Sequence, residues 1–197
     1  MAHVLKIVQA GDPVLRRRAR EVGSDELRSP AMQRLIELMR DTMRDAPGVG
    51  LAAPQIGESL QLAVVEDTAD RQRAQSGEEL AERARDVVAF QVLVNPELTI
   101  VDPEPVLFFE GCLSVRDRVM IVPRAKSVKV KALDQDGNSV VRVASGWYAR
   151  ILQHEIDHLH GRLCIDRMDS RTFMSVSQYE RFWRGKSVAE VLAELDT

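Results

Sequence analysis

The sequence predicts an α+β fold in which antiparallel sheets pack around a central helix, with an N-terminal helix and a short C-terminal helix. Apolar residues recur at helical spacing in two stretches, near residues 30–44 and 145–161. Short segments of β-type composition fill most of the chain between them. Asp136-Gly137 separates the last two of these segments, and this dipeptide is typical of an antiparallel hairpin.

Length and composition indicate one globular domain, residues 1–197. The chain is 45% hydrophobic and 29% charged, and its net charge of -3 offers no general attraction for nucleic acid or an anionic membrane. No apolar run approaches the roughly 18 residues that cross a bilayer, and the N-terminus lacks the pattern of a secretion signal. We therefore expect a cytosolic or organelle-matrix protein. Two cysteines are too few for a disulfide scaffold.

The first helix is predicted at residues 30–44. Ser29 is a candidate N-cap and Pro30 suits the first helical position. Its apolar stripe is expected in the core and consists of Met32, Leu35, Ile36, Met39 and Met43. The following stretch 48–55 contains two glycines and a proline, which predict an irregular loop.

The middle of the chain is predicted to be a series of short strands. Residues 60–65 form the first, and the charged stretch 66–86 is expected to be a solvated excursion, partly helical or mobile. The remaining strands are predicted at 90–94, 99–101, 106–109, 119–122, 127–132 and 139–143.

The second strong helix begins near Ser145 and ends at about Gly161. One side carries Trp147, Ile151, His154, Glu155 and His158. A last helix is predicted at residues 188–195, opened by Ser187 and Glu190 at the spacing of a capping box, and its role is expected to be structural.

His154 and His158 belong to a His-Glu-x-x-His motif inside the second helix. Residues four apart on a helix lie one above the other, so both imidazoles reach one cation and Glu155 lies beside it. Neutral imidazoles leave much of the cation's charge in place, so that it lowers the pKa of bound water to near ~7 and Glu155 can take the proton. The central helix is therefore predicted to bind a metal.

The competing interpretation is a solvated helix face on which two histidines happen to be four residues apart. Three of the four histidines of the chain fall within residues 154–160, and the flanking Ile151, Leu152, Ile156 and Leu159 indicate a core helix. His160 lies off the stripe and is expected to be exposed or locally hydrogen-bonded.

A catalytic site needs a third protein ligand, and the sequence offers three. In the metzincin type of protease a glycine and a third histidine follow the motif; here Gly161 has the glycine spacing, but Cys164 occupies the histidine position. In the thermolysin type the ligand is a glutamate on a later helix, for which Glu180 is the candidate. The third candidate is Cys112, next to a glycine that allows close backbone approach.

Three segments together resemble the signature motifs of the peptide deformylases, in the family's order and spacing. They are Gly-Val-Gly-Leu-Ala-Ala-Pro-Gln at 48–55, Glu-Gly-Cys-Leu-Ser at 110–114 and Gln-His-Glu-Ile-Asp-His-Leu at 153–159. The resemblance extends from about Ile7 to Thr172. Residues 146–173 are most similar to the subgroup that contains eukaryotic organellar deformylases and their bacterial relatives.

The resemblance implies hydrolytic removal of the formyl group from the N-terminal methionine of N-formylmethionyl nascent peptides. It implies one divalent metal ion held by Cys112, His154 and His158, with Fe²⁺ typical of the family and Zn²⁺ or Ni²⁺ often in its place. Expected partners are these peptides and the ribosome near its exit tunnel, for a monomer or homodimer. The expected location is the bacterial cytoplasm or, in a eukaryote, the mitochondrial or plastid matrix.

The resemblance also implies roles for residues that bind no metal. Glu155 would act as general base and then acid, and Gln55 with the backbone N–H of Leu113 would stabilise the oxyanion, each donor being worth roughly 3 kcal/mol. Gly50 would hydrogen-bond the substrate through its backbone. From the residues alone, a glutamine in a turn is an equal interpretation of Gln55.

An apolar pocket for the methionine side chain is predicted beside the metal ligands. Trp147 and Ile151 share the helical face of His154, and Val49 and Phe108 are the other candidates, with core packing as the equal alternative for each. The family often has a smaller residue at position 147, and the loop 115–118 is unusually charged.

Four further expectations concern neighbouring residues and rival functions. Glu110 is predicted to pair with Arg124 and steady the cysteine loop, and Cys164 is predicted to be a small buried side chain. A zinc endopeptidase with a different third ligand is the rival enzyme. A binding module for formyl-methionine is the rival from another class, although a structural site has no use for Glu155.

Overall fold

The computed structural model describes residues 4–73 and 75–195, and their framework is an antiparallel sheet whose main strands neighbour one another in chain order. The pairing order is β1-β2-β3-β4-β5, and β6 pairs with β4. The strands are β1 (Gly50–Ala52), β2 (Leu62–Asp67), β3 (Val88–Cys112), β4 (Val115–Leu133), β5 (Ser139–Ser145) and β6 (Met174–Ser175). The predicted hairpin at Asp136-Gly137 joins β4 to β5, with Gly137 at φ +86°.

Helices pack against the sheet, and two of them follow the last strand at the C-terminal end of the chain. The predicted α+β fold is therefore confirmed. In chain order the helices are α1 (Ser24–Leu27), α2 (Pro30–Asp45), α3 (Ala69–Gln72), α4 (Gly77–Glu82), α5 (Gly146–Leu159), α6 (Val176–Phe182) and α7 (Val188–Leu195). The short α1 and α6 were not expected from the sequence. No helix among the described residues is long and apolar enough to cross a membrane.

Helix α2 begins as its sequence predicts. The Ser29 hydroxyl accepts a hydrogen bond from the backbone N–H of Met32 at 3.2 Å, and Pro30 occupies the first turn. Its apolar stripe packs on β1 and β2, where Met39 and Met43 are fully buried.

The strands predicted between residues 90 and 132 are segments of two long, bent strands. Register shifts interrupt the β3–β4 pairing between Val94 and Glu97 and at two points between Ile100 and Pro105. Proline has no N–H for the ladder, and such irregularities accommodate it without ending the strand. The prolines at 96, 103 and 105 therefore mark bends, whereas the prediction placed strand ends there.

The charged stretch 66–86 is partly helical, as expected, and it is also anchored to the rest of the protein. Arg85 binds the buried carboxylate of Asp67 with contacts of 2.7 and 3.0 Å. The backbone N–H of Trp147 donates to the carbonyl of Ala84 at 3.4 Å. This contact joins the stretch to the first turn of α5.

Helix α5 packs its apolar residues against the sheet, with Ile151, Leu152 and Ile156 in a cluster that includes Val128 and Val130 of β4. It is the central helix that the sequence predicted, although Ser145 makes no side-chain capping bond. At the C-terminus, Ser187 and Glu190 cap α7 reciprocally, with N···O distances of 2.8 and 3.3 Å.

Candidate metal centre

Three side chains from two distant parts of the chain meet at one point. Helix α5 supplies His154 and His158, and the end of β3 supplies Cys112. The two Nε2 atoms are 3.2 Å apart, and the Cys112 Sγ is 3.4 Å from Nε2 of His158. The three candidate ligand atoms lie within 4.8 Å of one another.

These distances fit a small divalent cation. Tetrahedral ligands at zinc-like distances of about 2.0–2.1 Å for nitrogen and 2.3 Å for sulfur would be roughly 3.3–3.6 Å apart. Two imidazole nitrogens and one sulfur form a donor set typical of zinc and of other late first-row metals. Three protein ligands leave a fourth position for water or substrate, as in catalytic sites.

Glu110 orients the first histidine of the set. Its Oε2 accepts a hydrogen bond from Nδ1 of His154 at 3.0 Å, which turns the Nε2 of this imidazole towards Cys112 and His158. The backbone brings Glu110 here because it precedes Cys112 by two residues on β3, so both side chains lie on the same face of the strand.

Two buried arginines hold Glu110 in turn. Arg124 donates to it from Nε at 2.9 Å and from Nη2 at 3.0 Å, which confirms the predicted pair, and Arg150 donates from Nη1 at 2.6 Å. Arg124 also binds Asp157, which pairs with Arg167 at 2.8 and 2.9 Å. The carboxylate that positions the metal ligand thus belongs to a buried ion network that joins β3, β4 and α5.

Burial and neighbouring charges shift the pKa values of the site in the absence of a cation. Burial raises the pKa of Glu155 to about 7. Burial alone would lower the pKa of His154, but its hydrogen bond to Glu110 and the charge of that carboxylate outweigh burial and raise it to about 9. The pKa of His158 is held well below its ordinary value. Burial is the largest cause, and the positive charge of His154 is the second.

The pKa of Glu110 is lowered, in contrast to that of Glu155. Burial would raise it, but the hydrogen bond from His154 and the charge of Arg124 together hold it well below its ordinary value. Glu110 is therefore ionised when its neighbour Glu155 is close to half-protonated near neutral pH. A cation that binds must displace the proton of His154, so metal binding releases protons.

Glu155 faces the cluster from the next position on α5. Its Oε2 is buried and has no hydrogen-bond partner among the described residues. A Cβ added to Gly50 would lie 2.2 Å from Oε1 of Glu155, so a larger residue at this position would have to displace the Glu155 side chain. The edge strand β1 thereby brings its backbone against the carboxylate, next to the metal ligands.

Gln55 lies beside the Cys112 sulfur. Its Oε1 accepts from the backbone N–H of Ala52 at 2.9 Å, and its Nε2 points to Sγ of Cys112 at 3.7 Å and to the Ser114 hydroxyl at 3.4 Å. These contacts hold a buried amide donor at the cluster. Leu113 follows Cys112 in the β3–β4 turn and lines the same cleft.

A cleft of about 680 Å³ opens over these groups. Of the predicted pocket residues, Val49, Trp147 and Ile151 line it, but Phe108 does not. The Phe108 ring meets Trp147 edge-on, with 6.4 Å between ring centroids. Gly50, Gln55 and the charged loop residues 116–118 also line the cleft.

The two other candidates for the third ligand are not in the cluster. Cys164 is 1% exposed, in an apolar cluster with Val115, Met120 and Val122. Glu180 is exposed on α6, 4.0 Å from Arg184. The metzincin-like and thermolysin-like arrangements, on which the endopeptidase interpretation depends, are therefore absent from the described residues.

Sequence reasoning missed three residues that support the site. Arg150 precedes His154 by four positions, so its place on the helix stripe was a usable signal. Asp157 lies inside the motif itself and is 7% exposed. Arg85 lies in the charged excursion, yet its guanidinium stacks over Trp147 at 5.3 Å and lines the cleft, which no local pattern indicates.

Sequence comparisons find known proteins that are similar to this chain over most of its length. Residues 4–174 match the family model for polypeptide deformylase. Peptide deformylase 1A, chloroplastic, of Solanum lycopersicum is 44% identical over 174 residues, which cover 88% of this chain and 63% of that protein. Peptide deformylase 3 of Streptomyces avermitilis is 47% identical over 172 residues, covering 87% of this chain and 74% of that protein.

The structural comparison gives a similar result. The Met-Ala-Ser-bound class I type b peptide deformylase of Acinetobacter baumannii has a TM-score of 0.75 and 37% identity, covering 85% of this chain and 100% of that one. This chain spans less than two thirds of the length of two plant relatives, 63% for the tomato protein and 65% for a protein of Arabidopsis thaliana.

Proposed function

Because the chain belongs to the polypeptide deformylase family, we propose that it is a metal-dependent hydrolase that removes the N-formyl group from the N-terminal methionine of new polypeptides and releases formate. One observation carries this proposal: the donor atoms of Cys112, His154 and His158 converge beside the Glu155 carboxylate, whose Oε2 has no hydrogen-bond partner in the described part of the chain. The Acinetobacter relative was solved with Met-Ala-Ser, the peptide that deformylation of formyl-Met-Ala-Ser would leave.

Cys112, His154 and His158 would hold one divalent cation. When bound, such a cation supplies Lewis-acid polarisation of the formyl carbonyl and makes a coordinated water more acidic. Fe²⁺ is the proposed native ion because it is typical of the family. Zn²⁺ and Ni²⁺ are proposed as replacements because two imidazoles and a thiolate accept all three ions.

Glu155 would move the proton. Its buried Oε2 takes a proton from the attacking water and then gives it to the nitrogen that leaves with methionine. Burial, which raises the pKa of Glu155 to about 7 in the metal-free protein, keeps this carboxylate out of bulk water. Because Gly50 has no Cβ, it leaves room for this carboxylate beside the strand edge where the substrate backbone would bind.

Two donors would stabilise negative charge on the formyl oxygen as water attacks the carbon. Gln55 offers Nε2, which its Oε1 contact with the backbone of Ala52 keeps oriented, and Leu113 would offer its backbone N–H. Donors that are already fixed in place need no reorganisation during the reaction.

The remaining assignments concern the substrate and the cellular setting. Val49, Trp147 and Ile151 would wall the methionine pocket, and Gly50 would bind the peptide through its backbone. We further propose that residues 1–197 form one catalytic domain, monomeric or homodimeric, that meets nascent chains near the ribosomal exit tunnel. The location would be the cytoplasm of a bacterium, or the mitochondrial or plastid matrix of a eukaryote.

Formate release from formyl-Met-Ala-Ser tests the proposal. Glu155→Gln is expected to slow formate release by about 10²–10⁴-fold. The variant should retain the metal, because the Glu155 side chain is not one of the proposed metal ligands. Cys112→Ser is expected to lose most of the bound metal. Glu180→Gln, at an exposed carboxylate, is the matched control and should behave as wild type. A fully metallated wild-type protein that releases no formate would refute the proposed activity.

A further inference from the structure

The second cysteine of the chain lies beside the first. Cys164 begins a short 3-10 helix that packs under the end of β3, and Cys112 packs against the same apolar cluster. Their shared contact with this cluster brings the two side chains close to each other. Since the chain has only these two cysteines, any intramolecular disulfide must join them.

The two sulfurs differ in exposure. Cys112 lines the 680 Å³ cleft and is half-buried, so a small oxidant from solvent can reach it. Cys164 is 1% exposed, and Ile165 and Met168 complete the apolar cover around it. Oxidation is therefore expected to start at Cys112, because its sulfur is the more accessible of the two.

We propose that Cys112 and Cys164 form a reversible disulfide when the metal site is emptied, so that this bond and the cation compete for the same sulfur. The proposal rests on the proposed role of Cys112 as a metal ligand. A bound cation would cover the Cys112 sulfur, and release of the cation would leave this sulfur facing the cleft.

The reaction needs an oxidant, and hydrogen peroxide is sufficient. The Cys112 thiolate attacks one peroxide oxygen, the O–O bond breaks and hydroxide leaves, which gives a sulfenic acid. The sulfur of Cys164, after giving its proton to that hydroxide, attacks the Cys112 sulfur; the S–O bond breaks and hydroxide leaves, to be protonated to water. The sulfur pair loses two electrons, and one peroxide becomes two waters.

The disulfide would protect Cys112 from irreversible oxidation, and it would also prevent metal binding. With Cys164 in contact, the sulfenic acid is consumed before a second peroxide can carry it to the irreversible sulfinic acid. The disulfide removes the sulfur ligand, so the two histidines alone cannot rebuild the site. A dithiol reductant restores both thiols through exchange and thereby restores the site.

The test uses the full chain, stripped of metal by a chelator and treated with hydrogen peroxide at a small molar excess. Intact mass after alkylation under denaturing conditions is expected to show the loss of two hydrogens and no alkylated cysteine. Peptide mapping should link Cys112 to Cys164. Dithiothreitol should restore two alkylatable thiols and the capacity to bind one Ni²⁺ per chain.

The matched variant is Cys164→Ala, which leaves all three proposed ligands in place. It should bind Ni²⁺ like wild type before oxidation, but after peroxide it should gain two or three oxygens at Cys112 and fail to recover with dithiothreitol. If Cys164→Ala does not fold, wild type pre-loaded with Ni²⁺ replaces it and should keep both thiols under the same peroxide.

Wild type that gains oxygens at Cys112 while Cys164 stays alkylatable would overturn the proposal, as would disulfides only between chains. These readouts do not depend on turnover. A protein that forms the disulfide but releases no formate would refute the deformylase activity and leave the cysteine pair standing.

Discussion

The carboxylate of Glu110 joins metal binding to stability, so we expect Glu110→Gln to impair both. Its Oε1 accepts from Nε of Arg124 and Nη1 of Arg150, and its Oε2 accepts from Nη2 of Arg124 and Nδ1 of His154. A glutamine has one amide oxygen and one NH₂ group. In either orientation the NH₂ faces two donors, and two hydrogen bonds are lost.

The magnitude follows from these contacts. Hydrogen bonds to charged groups are worth about 1.5–3 kcal/mol each, so two lost bonds correspond to roughly 3–6 kcal/mol. Removing one partner of a buried ion pair independently suggests a cost of about 3–5 kcal/mol. Since Glu110 and Arg124 are each 4% exposed, solvent cannot replace the missing charge. Loss of the histidine's partner should also weaken metal binding by about 10–100-fold.

Urea denaturation of the metal-free proteins measures the first effect, and competition with a chromophoric chelator measures the second. The control is Glu37→Gln, in an exposed pair with Arg34 whose side chains are 52% and 56% exposed, and it should change stability by less than about 0.5 kcal/mol. A Glu110→Gln protein destabilised by less than about 1 kcal/mol, with unchanged metal affinity, would refute the assigned network.

Three further predictions concern Gly50, Gly161 and Glu155. Gly50→Ala should reduce the rate of formate release by about 100-fold or more, because the new Cβ displaces the Glu155 carboxylate. The metal should be retained, because the Cβ displaces none of the three proposed metal ligands. Activity near that of wild type contradicts the close approach of Gly50 and Glu155. Gly161→Ala should lower the free energy of unfolding by at least about 2 kcal/mol in urea denaturation, because φ at this position is +72° and the new Cβ would lie 2.8 Å from the Arg16 backbone. The control is Gly77→Ala, whose Cβ would meet open space. Equal stability of the two variants contradicts the packing at Gly161. Burial raises the pKa of Glu155 from 4.5 to about 7, so between these pH values the folded metal-free protein holds one more proton than the unfolded chain, and its stability falls as pH rises through them. Urea denaturation of the metal-free protein at pH 5 and at pH 8 should show this fall. The same change of stability with pH in Glu155→Gln contradicts it.

Local patterns in the sequence were sufficient to predict the two long helices, α2 and α5. Ser29 and Pro30 predicted the start of α2, and the helical spacing of His154 and His158 predicted that their rings share a face. Capping and periodicity act within a few residues of chain, so a single stretch contains the information. The choice of Cys112 as third ligand came from the family resemblance, because the residues alone left Cys164 and Glu180 open.

The long-range contacts were decided only by the tertiary structure. The continuity of β3 through its prolines depends on register shifts against β4. The four hydrogen bonds of Glu110 and the contact between Cys112 and Cys164 join residues that are 14 to 52 positions apart. No periodicity within one segment encodes which face of another segment it will meet. That outcome depends on how the whole chain buries its apolar surface and pairs its buried charges, which determines the geometry of the site.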